Sequence, residues 1–315
     1  MNVLSKIIDA LIGFAIGDAM GVPIEFEKRI FLVDHLVTKM IGYGSHDVPK
    51  GTFSDDTSMT LATMDSIIHK KVIDYNDMMD RFCDWVNKAK YTATNEVFDI
   101  GIATKKALIR YWETKNALIS GGKSINENGN GSLMRMLPIA FYCFSKKLND
   151  QEIYNIVKDC SSITHAHEIS VLGCYIYVQF IKFLLLGLNK DKSYLKICEL
   201  NYNNFEETTF LIYERILSGK IKDIHVNDIK STGYVVDTLE ACIWVSLNSS
   251  SFDESIIAAI NLGDDTDTIG AITGSISGII YGMENINKEW LMDLARKDYL
   301  IEMALQFESI LKEIV

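Results

Sequence analysis

Two short acidic tracts hold the residues of this sequence best suited to chemistry. The first is Ser54-Asp55-Asp56-Thr57. The second is Asp264-Asp265-Thr266-Asp267-Thr268, inside NLGDDTDTIG. Each contains Asp-Asp-Thr and each precedes an apolar pattern of helical spacing. A helix start is the ordinary explanation, because Ser, Thr and Asp accept hydrogen bonds from free N–H groups and acids suit a helix's positive end. Capping accounts for one acid in a tract, or two, but not for the three in the second. If the tracts converge, mutual repulsion drives several carboxyl pKa values upward unless a cation intervenes. Every candidate donor is a hard oxygen, with no His or Cys in either tract, which favours Mg²⁺ or Mn²⁺ over zinc. Four or more acids are too many for one such ion and suit a pair about 3.5–4 Å apart. An EF-hand is excluded, since its middle acid, its glycine and its closing glutamate are missing.

Four further stretches could supply a site. In GFAIGDAMGVPIEF, Gly13, Gly17 and Gly21 flank Asp18 and Pro23 precedes Glu25. The pattern predicts a helix ending in a tight loop that presents Glu25, which on its own could be a plain surface acid. In NENGNGSLMRMLPIA, the residues Asn128–Ser132 lead into a helix predicted from about Leu133. Small residues there expose N–H groups suited to phosphate, and they equally describe a capped loop. In SSITHAHEIS, Thr164, His165 and His167 precede an apolar helix predicted over Ile169–Leu188. His residues two apart do not share a helix face, so a cap or surface role competes with ligand contact. In NEVFDIGIATKKAL, Asp99 falls within a helical pattern and reads most simply as a first-turn acid.

The elements that must position these groups read as helices. The chain has 315 residues, 48% of them hydrophobic, and only three prolines; few breakers favour helices. Apolar residues recur at helical spacing at Leu4, Ile7, Ile8, Leu11 and Ile12, at Met78, Phe82, Trp85 and Val86, at Ile153, Ile156 and Val157, and from Ile301 to Leu311. STGYVVDTLEACIWVSL is rich in β-branched residues but also fits a helical face. The expectation is an all-α fold of about a dozen helices in one domain over residues 1–315. Polar loops are expected at Gly42–Gly51, Gly121–Gly131, Asn201–Asn204 and Ile221–Ser231. Gly270, Gly274, Gly278 and Gly282 give a helix one bare face for a close neighbour.

The net charge of −11 argues against non-specific nucleic-acid binding. Six scattered cysteines without a CxxC pair read as reduced core residues. The N-terminus begins like a signal peptide, but Asp9 and Asp18 interrupt it. The longest uncharged runs fall short of the roughly 20 apolar residues of a membrane span. A cytoplasmic protein is expected, of oligomeric state the sequence leaves open.

Taken in order, these stretches resemble the ADP-ribosylglycohydrolase family. GDAMGVPIEF is similar to its GDxxGxxxE region, SDDT to its first metal motif and GNGSLMRMLPIA to its phosphate-loop segment. THAHE is similar to its Thr-His element, and GDDTDTIGAITGSISGIIYG to its second metal motif and glycine-spaced helix. The likeness runs roughly from Gly13 to Gly282, and five ordered motifs make it specific; residues 190–230 carry no family signal. The resemblance implies an orthogonal helix bundle with two divalent ions, Mg²⁺ or Mn²⁺, in a central cleft. Their ligands would be Ser54, Asp55, Asp56, Asp265, Asp267 and Thr268, with Glu25 at or beside them. Asp264, where many relatives carry Gly, would support or cap. Asp99, through its FDIG setting, matches an acid proposed as catalytic in bacterial glycohydrolases.

The implied reaction is hydrolysis of the C1″ bond joining ADP-ribose to arginine, or to serine, by a metal-activated water. Glu25 or Asp99 would handle the proton, and Asn130, Gly131, Ser132, Thr164 and His165 would bind the substrate. The implied partner is an ADP-ribosylated protein or a small molecule bearing ADP-ribose. Among rivals, a non-catalytic ADP-ribose binder would be expected to have lost acids that this chain keeps. A prenyl-diphosphate enzyme would need DDxxD, one residue longer than Asp264–Asp267, and would lack the glycine face. A haloacid-dehalogenase DxDx(T/V) motif fails at Ile269.

Overall fold

The computed structural model describes residues 6–314 and contains no strand among them. Its helices are α1 (Lys6–Gly21), α2 (Arg29–Asp34), α3 (Asp55–Lys70), α4 (Tyr75–Lys88), α5 (Ile102–Thr114), α6 (Leu137–Ser145), α7 (Asp150–Ser162) and α8 (Glu168–Leu185). They continue with α9 (Lys190–Cys198), α10 (Glu207–Ile212), α11 (Glu214–Leu217), α12 (Val235–Asn248), α13 (Phe252–Ile260), α14 (Thr266–Tyr281), α15 (Lys288–Asp293) and α16 (Lys297–Glu313). The all-α expectation holds. The count exceeds a dozen because short helices such as α10 and α11 have too few residues to show a periodic apolar pattern. Leu4, from the first predicted stripe, lies outside the described residues.

Local signals set many helix ends. Asn149 and Glu152 form a reciprocal capping box at the start of α7, and the side chains of Asp74 and Ser251 cap α4 and α13. Two predicted boundaries moved. Residues Asn130–Arg135 form a 3₁₀ turn, and the α-helix waits until Leu137, with Pro138 in its first turn, where a missing N–H does no harm. Asp99 lies outside any helix, three residues before α5, with φ of +55°.

At the centre, α1 and α14 run antiparallel with backbones almost touching. A Cβ on Gly17 would lie 1.9 Å from the Gly270 carbonyl oxygen, and one on Gly274 would lie 2.0 Å from that of Gly13. Gly278 meets the Asp9 carbonyl in the same way, at 2.1 Å. Two bare faces with four-residue spacing therefore fill each other. Gly282 does not belong to this face; its φ of +82° ends α14. Helices α12 and α13 flank α14, while α16 packs against α1 and α3. The Tyr177 hydroxyl of α8 meets the Ser275 hydroxyl at 2.8 Å.

Burial explains why α1 is apolar nearly all round. The segments Lys6–Ile24 and Glu168–Leu185 are long and apolar enough to cross a membrane, against the expectation from uncharged runs, but 89% and 83% of their windows are buried inside the fold. Asp9, which interrupts the first, is held by Lys6 at 3.2 Å and accepts the Met283 N–H.

Gly17→Ala drives a methyl into backbone that cannot move aside, so the expected loss is about 3 kcal/mol or more, beyond ordinary overpacking. Gly101→Ala, which meets nothing closer than 3.9 Å, should change stability by less than about 0.5 kcal/mol. Denaturant unfolding of both variants checks this contrast.

Candidate active site and metal centre

Five chain segments meet at the α1–α14 contact, and each link is a specific bond. Asp18, on α1, is fully buried and accepts the backbone N–H groups of Ser54 and Thr57 at 2.8 and 3.0 Å and the Thr57 hydroxyl at 2.6 Å. It fastens the start of α3, and with it Asp55 and Asp56, to the central helix. The Ser54 hydroxyl accepts the Asp56 N–H and reaches Asp56 Oδ2, each at 3.2 Å. Thr268, one turn into α14, donates to that same oxygen at 3.2 Å. The two acidic tracts, over two hundred residues apart in sequence, thus touch.

The Glu25 loop is tied to the second tract through backbone. Phe26 N–H donates to the Asp264 carbonyl at 2.6 Å, and Asp264 N–H donates to the Glu27 carbonyl at 2.8 Å. Asp264 itself has φ of +59° and turns its carboxylate outward to Lys28 at 2.6 Å, so it neither caps α14 nor joins the inner acids. The segment before α12, silent in the sequence, props this corner. Ser231 accepts the Asp265 N–H through its carbonyl at 2.9 Å. Arg29 binds the carbonyls of Leu262 and Ile229, both at 2.7 Å.

These links frame a cleft of about 310 Å³ lined by Glu25, Asp55, Asp56, Asp99, Asn130, Gly131, His165, Asp265 and Thr268, together with Phe26, Ile102 and Thr104. Asp267 lies buried beside it, within electrostatic reach of Glu25, Asp56 and Asp265. Three of the expected substrate contacts are placed differently. The Ser132 hydroxyl faces Cys174 and Ser161 in the core. The Thr164 hydroxyl faces Arg135 and His165. Asn130 lines the cleft, but its amide donates to Asp265 Oδ2 and Thr238, each at 3.0 Å, and its N–H is spent on the Gly233 carbonyl. Asn130 therefore orients an acid. His167 caps α8, as one of its two readings had it.

The sequence reading passed over two residues. Asp18 sat in plain view between glycines, but nothing in an apolar helix said which neighbour it served. His46 lies in the loop Gly42–Gly51, bonds Glu25 Oε2 through Nε2 and rests between the rings of Phe26 and Phe98 at 5.9 and 5.1 Å. Ligand atoms of Glu25, His46 and Asp99 fall within 4.8 Å of one another.

Packing so many carboxyls together changes their acidity. Burial, and then the charges of neighbouring acids, raise Asp55, Asp56 and Asp267 well above the ordinary range. Burial raises Asp265 against the hydrogen bond from Asn130. Burial lifts Glu25 to about 7 despite its bond to His46, and lifts Asp18 to about 6 despite its three donors. Asp56 Oδ1, Asp265 Oδ1 and both oxygens of Asp267 are buried with no hydrogen-bond partner among the described residues. Buried acceptors are rarely left so, and a hard dication is the partner such a donor set fits.

In EDTA, the native state holds protons on these acids that the unfolded chain has already released. Stability should therefore fall as pH rises from about 4, the ordinary carboxyl range, through about 7, where Glu25 titrates. Thermal melts across that window check the sign; a melting temperature that climbs steadily instead would contradict it.

The sequence and the fold are similar to those of known proteins. The ADP-ribosylglycohydrolase family profile matches residues 1–314. The chain is 31% identical over 307 residues to the ADP-ribosylarginine hydrolase Tri1 of Serratia proteamaculans, covering 96% of this chain and 79% of that protein. It is 28% identical to the ADP-ribosyl-[dinitrogen reductase] glycohydrolase of Rhodospirillum rubrum, covering 94% and 92%. A solved structure titled ADP-ribosylglycohydrolase-related protein complex superposes with a TM-score of 0.82 at 25% identity, covering 98% of both chains. By its sequence, its fold and the convergence of its acidic motifs, the chain belongs to the ADP-ribosylglycohydrolase family.

Proposed function

We propose that this chain is a hydrolase that removes ADP-ribose from a modified side chain, arginine first, by cleaving the C1″ glycosidic bond with the aid of two divalent cations. The observation that carries the reading is the set of orphaned carboxylate oxygens on Asp56, Asp265 and Asp267 beside an open cleft. The two relatives named above act, by their names, on ADP-ribosylarginine and on an ADP-ribosylated reductase. Both support a modified protein as substrate.

Asp55, Asp56, Asp265 and Asp267 would hold the ions, with Thr268 and Ser54 offering hydroxyls. When bound, Mg²⁺ or Mn²⁺ supplies positive charge for the ribose hydroxyls and the acidity that readies a water for attack. The protein's own work is orientation and proton transfer. Asn130 fixes the plane of Asp265, and Asp18 fixes the start of α3. Glu25 has Oε2 engaged by His46, which leaves Oε1 to take a proton from the attacking water or to protonate the departing group. A carboxyl near 7 suits either duty at neutral pH. Asp99, whose carboxylate lies within 4.8 Å of ligand atoms of Glu25 and His46, would be a second proton carrier. Positive potential in an acidic protein is then local, which lets an anionic diphosphate enter. With five of its six cysteines buried as free thiols, we assign it to a reducing, cytoplasmic setting.

Asp267→Asn removes an acid that folding must protonate, or ionise against its neighbours, when no metal is present, so the EDTA-treated variant should melt higher than wild type at neutral pH. It should also lose the rise in melting temperature that Mg²⁺ or Mn²⁺ gives wild type, and lose turnover by more than about 100-fold. Scanning fluorimetry and release of free ADP-ribose from ADP-ribosylarginine and ADP-ribosylserine read these effects. Undiminished turnover in the variant, or a wild-type melting temperature indifferent to both ions, would sink the assignment.

A further inference from the structure

Arg135 is the least explained charge in the molecule. It closes the 3₁₀ turn that lines the cleft, is wholly buried, and has no carboxylate partner among the described residues. Its Nη2 donates to the Cys160 carbonyl at 2.9 Å and to Thr164 Oγ1 at 2.7 Å, while Nε and Nη1 have no hydrogen-bond partner. The guanidinium lies 5.1 Å from the centre of the Phe82 ring. Burying an unpaired cation is strongly unfavourable, so its retention calls for a role.

The donor inventory supplies one. Thr164 Oγ1 has two polar neighbours, the Arg135 guanidinium and His165 Nδ1 at 3.0 Å. A guanidinium can only donate, so the Thr164 oxygen accepts from it. The Thr164 O–H is fully buried and must itself donate; Nδ1 is the acceptor in reach. An imidazole that accepts at Nδ1 carries its proton at Nε2. That nitrogen has no hydrogen-bond partner among the described residues. The ring edge bearing it packs against the bare faces of Gly129 and Gly131, where Cβ atoms would sit 3.8 and 3.4 Å from Nε2, and the ring lines the cleft. The backbone is equally fixed: His165 N–H bonds the Ser161 carbonyl at 2.7 Å, and the Ser161 hydroxyl returns to the His165 carbonyl at 2.8 Å.

We propose that Arg135, acting through Thr164, fixes His165 as the tautomer protonated at Nε2 and so presents one permanent N–H donor to the anionic part of a ligand in the cleft. Arg135 and Thr164 are positioning residues in this arrangement; His165 is the contact. The ligand half rests on the reading above, that the diphosphate of ADP-ribose occupies this cleft. Burial, followed by the Arg135 charge, holds the His165 pKa down at about 3, so the donor does not change with pH in the physiological range.

The test is long-range ¹H–¹⁵N spectroscopy of histidine side chains in ligand-free protein, with the His165 signals assigned by their loss in His165→Phe. The expected pattern is a protonated Nε2 and an unprotonated Nδ1 from about pH 5 to 8. A protonated Nδ1 in wild type overturns the proposal, and this readout needs no variant of the relay to fold. Thr164→Val should mix the tautomers and weaken ADP-ribose binding about tenfold by calorimetry, the fold-change of one charge-assisted hydrogen bond. Thr164→Ser should restore both. An unchanged tautomer or unchanged affinity in Thr164→Val contradicts the relay. Wild type that fails to bind ADP-ribose overturns the ligand half and the reading of the cleft, whereas wild type that binds without hydrolysis overturns only the catalytic reading.

Discussion

The arrangement depends on holding like charges together. Asp18, Glu25, Asp55, Asp56 and Asp267 are buried and Asp265 is half-buried beside them; they lie within electrostatic reach of one another, and each raises the cost of ionising its neighbours. A flexible protein would relieve that repulsion by letting the acids move apart. Here Asp18 and Asp267 sit on the two helices whose backbones meet through glycines, and the starts of α3 and of the Glu25 loop are bonded to those helices. Interlocked main chain has no side chain to rotate and no cavity to expand into. Each glycine inside a helix costs about 0.5–1 kcal/mol relative to alanine, a standing expense that makes sense where separation must stay fixed.

Rigidity at the centre passes outward through single bonds. Asp18 carries the position of α1 to α3. The paired backbone bonds between residues 26–27 and Asp264 carry the position of α14 to the Glu25 loop. Asn130 and the Gly233 carbonyl carry it to the cleft wall, and the Ser132–Ser161 contact carries it on to His165. The first of these couplings uses a buried acid, Asp18, as its clamp, and buried Arg135 holds Thr164 in the same manner. Both stay at a distance from the reacting atoms and decide where other groups sit.

Much of this was legible in the sequence, and the reasons differ by element. Helices α1, α4, α7 and α16 announced themselves by apolar spacing, and the tract Asp264–Thr268 stood out because capping needs fewer than its three acids. The glycine spacing pointed to close approach without naming the partner; that the partner was a second glycine face, at Gly13 and Gly17, required the fold. Asn130, Ser132 and Thr164 looked alike as small polar residues near a helix start. Only tertiary bonds separate the one that orients an acid from the two that face the core. His46 was invisible because a loop histidine reaching 21 residues back to Glu25 leaves no periodic trace. The segment before Ser231 matched no motif, since its contribution to the site runs through backbone carbonyls, which any residue type supplies.

The central claim is that the buried acids form a cage for a pair of dications. Anomalous diffraction from crystals grown with Mn²⁺ tests it most directly. The account predicts two peaks between the Asp55–Asp56 pair and the Asp265–Asp267 pair, about 3.5–4 Å apart, with Asp267 oxygens coordinated. Maps from well-ordered crystals at saturating Mn²⁺ that show no peak among these acids, or peaks on the surface alone, would contradict it.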